Sequence, residues 1–220
     1  MLKKILLIQL GISSAGLLTV YLLTIPLLRR LPKQGRVSMD GITTIDDAVE
    51  ACRRTQLQGW ELVAFAQNLA AQKFTYSRLN TWDTPSRAFE RGMGYCEQQA
   101  LALKKIYDKL GIETRPVFCM RCKFPAKEID GVYWPGGISG HAWLRVGIGS
   151  EERDVCPGSI NNRPGVTQFE VHSRVLTWYP WLRPFTHVGS SIENIRRDMM
   201  AQRSLSTPSN IPGPPIESLV

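Results

Sequence analysis

Histidine is scarce in this chain, with three in 220 residues. Chemistry that needs an imidazole must therefore draw on His141, His172 or His187. Metal spacing is thin as well: Cys119-Met120-Arg121-Cys122 has no second Cys-x-x-Cys and no His pair to complete a zinc set, so no metal and no other cofactor is expected. Internal repeats are absent. The body carries no stripe of Arg and Lys interleaved with aromatics, which argues against nucleic acid as a partner. Charge itself is missing from the 24 residues Ile5 to Leu28.

That uncharged run is long enough to cross a hydrocarbon core of about 30 Å at about 1.5 Å per residue. A cleaved signal peptide is the rival reading, with Lys3 and Lys4 as a basic n-region. The apolar run exceeds the usual length for one, however, and no small-x-small site precedes Arg29. The sequence thus predicts an N-terminal membrane anchor over 1–30, a linker over 31–43 with Pro32, Gly35 and Gly41, a domain over 44–203, and a disordered tail over 204–220. Residues 1–40 hold six basic side chains and one acidic, a net +5 of the total +8. The basic excess is therefore mostly juxtamembrane, and a single-pass membrane protein is expected. Lys3 and Lys4 stand against Arg29, Arg30, Lys33 and Arg36, so orientation is left open, with the exported side preferred.

Within the domain, helical patterns come first. Thr44 and Asp47 resemble an N-cap with an acidic first turn, opening a helix near 45–57; a second is expected from Trp60 to about Phe74. Pro85 to Arg91 reads as a short helix or turn. After Tyr95, Ala100, Leu103, Tyr107 and Leu110 recur at steps of three and four, predicting a helix from Cys96 stopped by Gly111. Strand patterns follow at 114–118, 141–148, 153–156 and 167–171, separated by a long Pro/Gly-rich loop over 123–140, and a last helix is expected over 190–202. Helices followed by strands give an α+β domain.

The chemistry gathers at Arg91-Gly92-Met93-Gly94-Tyr95-Cys96. A thiol in the first turn of a helix meets backbone N–H groups and the positive end of the macrodipole, which favour the thiolate. Such a nucleophile needs a base. His141 opens a strand, shares its face with Trp143 and Arg145, and is followed by Asp154 on the next strand. If those strands pair so that partner numbers sum to about 295, His141 opposes Asp154; if they sum to about 299, Asp154 faces Arg145 instead.

Four blocks together resemble the transglutaminase-like superfamily: Gly92-Met93-Gly94-Tyr95-Cys96-Glu97-Gln98-Gln99-Ala100, the ending Leu110-Gly111-Ile112-Glu113-Thr114-Arg115-Pro116-Val117, His141-Ala142-Trp143, and Asp154-Val155-Cys156-Pro157. The resemblance covers roughly residues 60–158. It implies a papain-like transglutaminase core, with N-terminal helices packed on an antiparallel sheet and preceded here by a transmembrane helix. It further implies acyl transfer or amide hydrolysis on a protein or peptide substrate, with Cys96 as nucleophile, His141 as base and Asp154 as orienting acid. Gly94, Tyr95 and Trp143 are the candidates to line the substrate cleft. The lead-in to Gly94, from Thr84-Pro85, also resembles bacterial transglutaminase-like cysteine proteinases, though Cys96 stands here between Tyr95 and Glu97, where those tend to show an acidic pair around the cysteine. The alternative reading is a membrane-tethered peptide-binding module of the same fold without turnover. Cys52, Cys119, Cys122 and Cys156 are expected as ordinary thiols, with disulfides an option in an oxidising compartment.

Overall fold

The computed structural model describes residues 11, 13–16, 18–19, 39, 41–77, 83–129, 132–134, 136–179 and 181. No helix among them is long and apolar enough to cross a membrane. Most of the expected anchor, the expected helix over 190–202 and the expected tail lie outside the described residues.

The helices form where the sequence caps them. In α1 (Ile45–Arg54), the Thr44 side chain accepts the Asp47 N–H (3.2 Å), and the Asp47 carboxylate accepts the Thr44 N–H (2.7 Å). This reciprocal box satisfies two N–H groups that the helix cannot satisfy internally. The bonds from Thr44, with that from Thr43, hold the Asp47 carboxyl below its usual range. α2 (Gly59–Lys73) buries residues on several sides, including Val63, Ala66, Gln67 and Ala70. Its last residue, Lys73, is itself buried, and burial lowers its pKa. The ammonium donates to the Ile42 carbonyl (2.8 Å) and lies 5.6 Å over the Phe89 ring. A two-residue strand, β1 (Thr75–Tyr76), leads on from α2. α3 (Pro85–Arg91) starts with proline in its first turn, where no intrahelical N–H is lost, and the Thr84 hydroxyl accepts the Arg87 N–H (3.3 Å). After β2 (Met93–Gly94), α4 (Cys96–Leu110) ends at Gly111, whose φ of 74° is the left-handed turn glycine takes most cheaply.

The sheet follows. β3 (Thr114–Phe124) and β6 (Gly137–Ile148) are its long antiparallel centre. β7 (Glu151–Val155) lies on the outer side of β6, while β8 (Glu170–Val171) and β9 (Val175–Thr177) pair with β3. The expected loop over 123–140 is mostly built: β3 and β6 extend into it and carry a small hairpin of β4 (Lys127–Ile129) and β5 (Val132–Trp134). Gly136, with φ of 71°, turns the chain back there; a Cβ would lie 2.7 Å from the Ala126 N and the Phe124 O.

The sheet separates two apolar clusters. On one face Leu144, Val146 and Val155 pack with Val49, Val63, Phe89, Leu103, Ile106 and other residues of the four helices. On the other, Trp143 packs with Val117, Cys119, Cys122, Cys156 and Phe169. Alternation along β6 produces this division, and it sends His141 to the second face beside Trp143. A bulge in β3 adds to that face. Cys119 pairs with His141 and Cys122 with Ser139, so two residues of β3 oppose one of β6 between them. Cysteines three apart on a regular strand would point to opposite faces; the extra residue turns both inward to the same cluster.

Candidate active site

Cys96 is the first residue of α4, and the chain before it is held on both sides. β2 runs parallel to β1, with Thr75 beside Met93 and Tyr76 beside Gly94. Thr75 N–H donates to the Gly92 carbonyl (2.7 Å) and Ser77 N–H to that of Gly94 (3.0 Å). From α4 itself, the Gln98 amide oxygen accepts the Tyr95 N–H (3.3 Å), and Gln99 donates to the Gly94 carbonyl (2.9 Å). Gln98 also donates to the Asp83 carbonyl (3.0 Å), and the Asp83 carboxylate pairs with Arg91 at the end of α3. The helix start is thus fixed from β1, from the end of α3 and from its own first turn.

Of the five cysteines, Cys52, Cys119, Cys122 and Cys156 are buried and Cys96 is partly exposed; no disulfide joins any of them. Burial, and then the neighbouring Cys119, Cys96 and Cys156, push the Cys122 thiol pKa upward. Burial acts upward on Cys119 too, but its hydrogen bonding with Ser173, Arg121 and Cys122 outweighs it, and its pKa is lowered. α4 packs against β3 and β6, which sets its start beside the sheet.

His141 is 5% exposed and boxed by aromatic rings. Phe169 meets it edge-on at 4.6 Å, Phe124 at 5.2 Å, and Trp143 stacks on it at 6.0 Å with planes 17° apart. Its Nε2 lies 3.3 Å from the Cys156 sulfur.

The register of β6 and β7 corrects one expectation. Arg145 pairs with Asp154, Leu144 with Val155 and Val146 with Arg153, so partner numbers sum to 299. The Asp154 carboxylate accepts the Arg145 Nε–H at 2.8 Å. Asp154 therefore stands opposite Arg145, four residues along β6 from His141, and the structure does not bring it to the imidazole as orienting acid. The reason is the turn. Gly149 takes φ of 61°, closing β6 and β7 around Gly149-Ser150 instead of one pair earlier.

Sequence reading passed over Cys156, which occupies the place beside His141. β7 stops at Val155, so among the described residues no strand pairs with His141 on that side. The turn Cys156-Pro157-Gly158 fills the gap, and the first turn of α4 comes up against it: a Cβ on Gly158 would lie 3.3 Å from the Cys156 sulfur and 3.9 Å from the Gln99 amide oxygen. The Cys156 carbonyl is gripped by Gln67 Nε2 (3.0 Å) and Asn162 Nδ2 (2.9 Å), and its sulfur accepts the Gly158 N–H (3.4 Å). A signal for it existed. Glu151-Glu152-Arg153-Asp154 is a charged run suited to a solvated strand, whereas Val155-Cys156-Pro157 is the uncharged stretch that enters the interior.

The cleft candidates have a different part. Gly94 is buried against Phe74 and Gln98, Tyr95 is 3% exposed and Trp143 is fully buried, so all three pack the site from within. Among the described residues no group of three His, Cys, Asp or Glu side chains is arranged to hold a metal ion.

Fold and site together define an α+β protein with a partly exposed cysteine at a helix start and a buried histidine on the adjoining antiparallel sheet. No family model and no curated protein matches the chain. Among solved structures it is similar to one described as "a Putative Cysteine Protease from Cytophaga hutchinsonii", with 12% identity and a TM-score of 0.37. The match covers 69% of this chain and 58% of that one, so this chain spans less than two thirds of that protein's length.

Proposed function

We propose that the protein is a thiol-dependent acyl-transfer enzyme acting on peptide or amide bonds, with Cys96 as nucleophile and His141 as general base. The observation that carries this reading is the position of Cys96: the one partly exposed thiol of five, at the first residue of a 15-residue helix. The helix dipole there stabilises the thiolate that attack requires, and thiols so placed have pKa values down to about 3.5–7.5. The Cys96 proton passes to His141 as sulfur attacks the amide carbonyl. The imidazolium returns that proton to the departing amine, leaving a thioester. Water then gives the carboxylic acid, as in a protease or amidase, or a lysine amine gives a new amide, as in a transglutaminase; either regenerates the thiol. The protein acts at a membrane, held there by the uncharged segment Ile5 to Leu28.

A second reading, a peptide-binding module of the same fold without turnover, draws on the engagement of Asp154 by Arg145. Alkylation by iodoacetamide, followed residue by residue with mass spectrometry between pH 6 and 9, separates the two. An activated Cys96 is modified well below pH 8 and at least about tenfold faster than the other four thiols. Equal rates at all five leave the binding module.

A further inference from the structure

The His141 Nε2 lies 3.3 Å from the Cys156 sulfur, and nothing in the mechanism above uses that contact. We propose that Cys156 is the positioning residue of this site, its sulfur accepting the Nε2–H of His141 and so directing the Nδ1 lone pair to Cys96. This rests on the reading of Cys96 and His141 as nucleophile and base.

Three features support it. The sulfur already accepts the Gly158 N–H, so its surroundings treat it as an acceptor. Its backbone is fixed by two amide donors from separate elements, Gln67 of α2 and Asn162 of the following loop. The imidazole plane is set by Phe124, Trp143 and Phe169, so the ring cannot turn to exchange one nitrogen for the other. A neutral histidine carries one N–H, and whichever group holds that N–H selects the tautomer. With the proton on Nε2, Nδ1 takes the Cys96 proton; the imidazolium so formed keeps its Nε2–H on the Cys156 sulfur, and no proton leaves Cys156 at any step.

The test uses the full-length protein labelled with 15N-histidine, His141→Gln identifying the His141 signals. At pH 7.5 the expected spectrum is that of the Nε2–H tautomer, with a shift toward a mixed population in Cys156→Ala. Alkylation of Cys96 is expected to fall about tenfold or more in Cys156→Ala, as loss of an orienting group does elsewhere, and to return to within about threefold in Cys156→Asp. Should the aspartate variant not fold, Cys156→Ser, which keeps an acceptor of similar size, is expected to recover a measurable part of the rate. An Nδ1–H tautomer in the wild type, or a Cys156→Ala protein with unchanged Cys96 reactivity, overturns the assignment. The two readings fail separately: an unreactive Cys96 in the wild type removes the enzyme, whereas the tautomer of His141 reports on Cys156 alone.

Discussion

Asp154 and Cys156 stand two residues apart, and the partner each finds decides what each can do. The Arg145–Asp154 pair is about one third exposed, 29% and 31% for the two side chains. Pairs of that kind contribute about 0–1 kcal/mol. Asp154→Asn is therefore expected to lower stability by no more than about 1 kcal/mol and to leave the alkylation rate of Cys96 within about twofold, measured by urea unfolding and by mass spectrometry. A large loss of Cys96 reactivity would return Asp154 to the site. Cys52 carries a prediction of a different kind. Burial pushes its thiol up to about 11 from an ordinary 9.0. As pH rises past about 9 the unfolded chain gives up this proton while the native state keeps it, so the unfolded state binds fewer protons and stability falls until about pH 11. Below that window Cys52 contributes no slope. Thermal unfolding as a function of pH is expected to show this alkaline decline, with a shallower slope in Cys52→Ala between pH 9 and 10.

Among the elements, the corner at Gly136 is the most exacting. An alanine there must place its Cβ against backbone atoms of Phe124, Pro125 and Ala126, and those atoms cannot rotate away as a side chain would. Its φ of 71° adds strain for any L side chain. Gly136→Ala is expected to cost about 2 kcal/mol or more, read as a lowered urea midpoint with unchanged slope. This corner also marks where the sequence was least legible. Helical periodicity and caps locate α1 to α4 within a few residues, because Thr44, Pro85, Cys96 and Gly111 act locally. The hairpin of β4 and β5 is held by cross-strand bonds, and Pro125, Gly136 and Gly137 read as loop when taken one at a time. The candidate site divides in the same way. Cys96 at a helix start and His141 on a strand face follow from periods of 3.6 and 2. The partner of His141 depended on one register choice in a turn, which alternation alone does not make; a pair sum of 299 in place of 295 took Asp154 to Arg145 and left the turn after Val155, with Cys156, beside His141.

For the whole molecule, the net charge of +8 is concentrated beside the uncharged segment, and the folded body is close to balanced. The full-length protein is expected to sediment with membranes and to resist both high salt and carbonate, since an apolar span of 24 residues is held by more than charge. Release by salt alone would reduce the N-terminal region to a peripheral basic arm. A soluble product beginning near residue 30 would identify a signal peptide.

The position of β7 matters beyond catalysis. Among the described residues it has one strand neighbour, β6; on its other edge the Asp154 carbonyl accepts the Gly165 N–H (2.8 Å), and the stretch from Glu151 to Arg153 is left without a strand partner. Glu151, Glu152, Arg153 and Asp154 occupy four of its five positions, and each carries a charge that a docking strand would have to bury. In this light the charged run from Glu151 to Asp154, with the Gly165 cap on its last carbonyl, disfavours edge-to-edge aggregation. Replacing Glu151, Glu152 and Asp154 together by Thr is expected to leave the monomer folded yet turn concentrated, detergent-solubilised protein toward light-scattering oligomers, while wild-type protein at the same concentration stays clear.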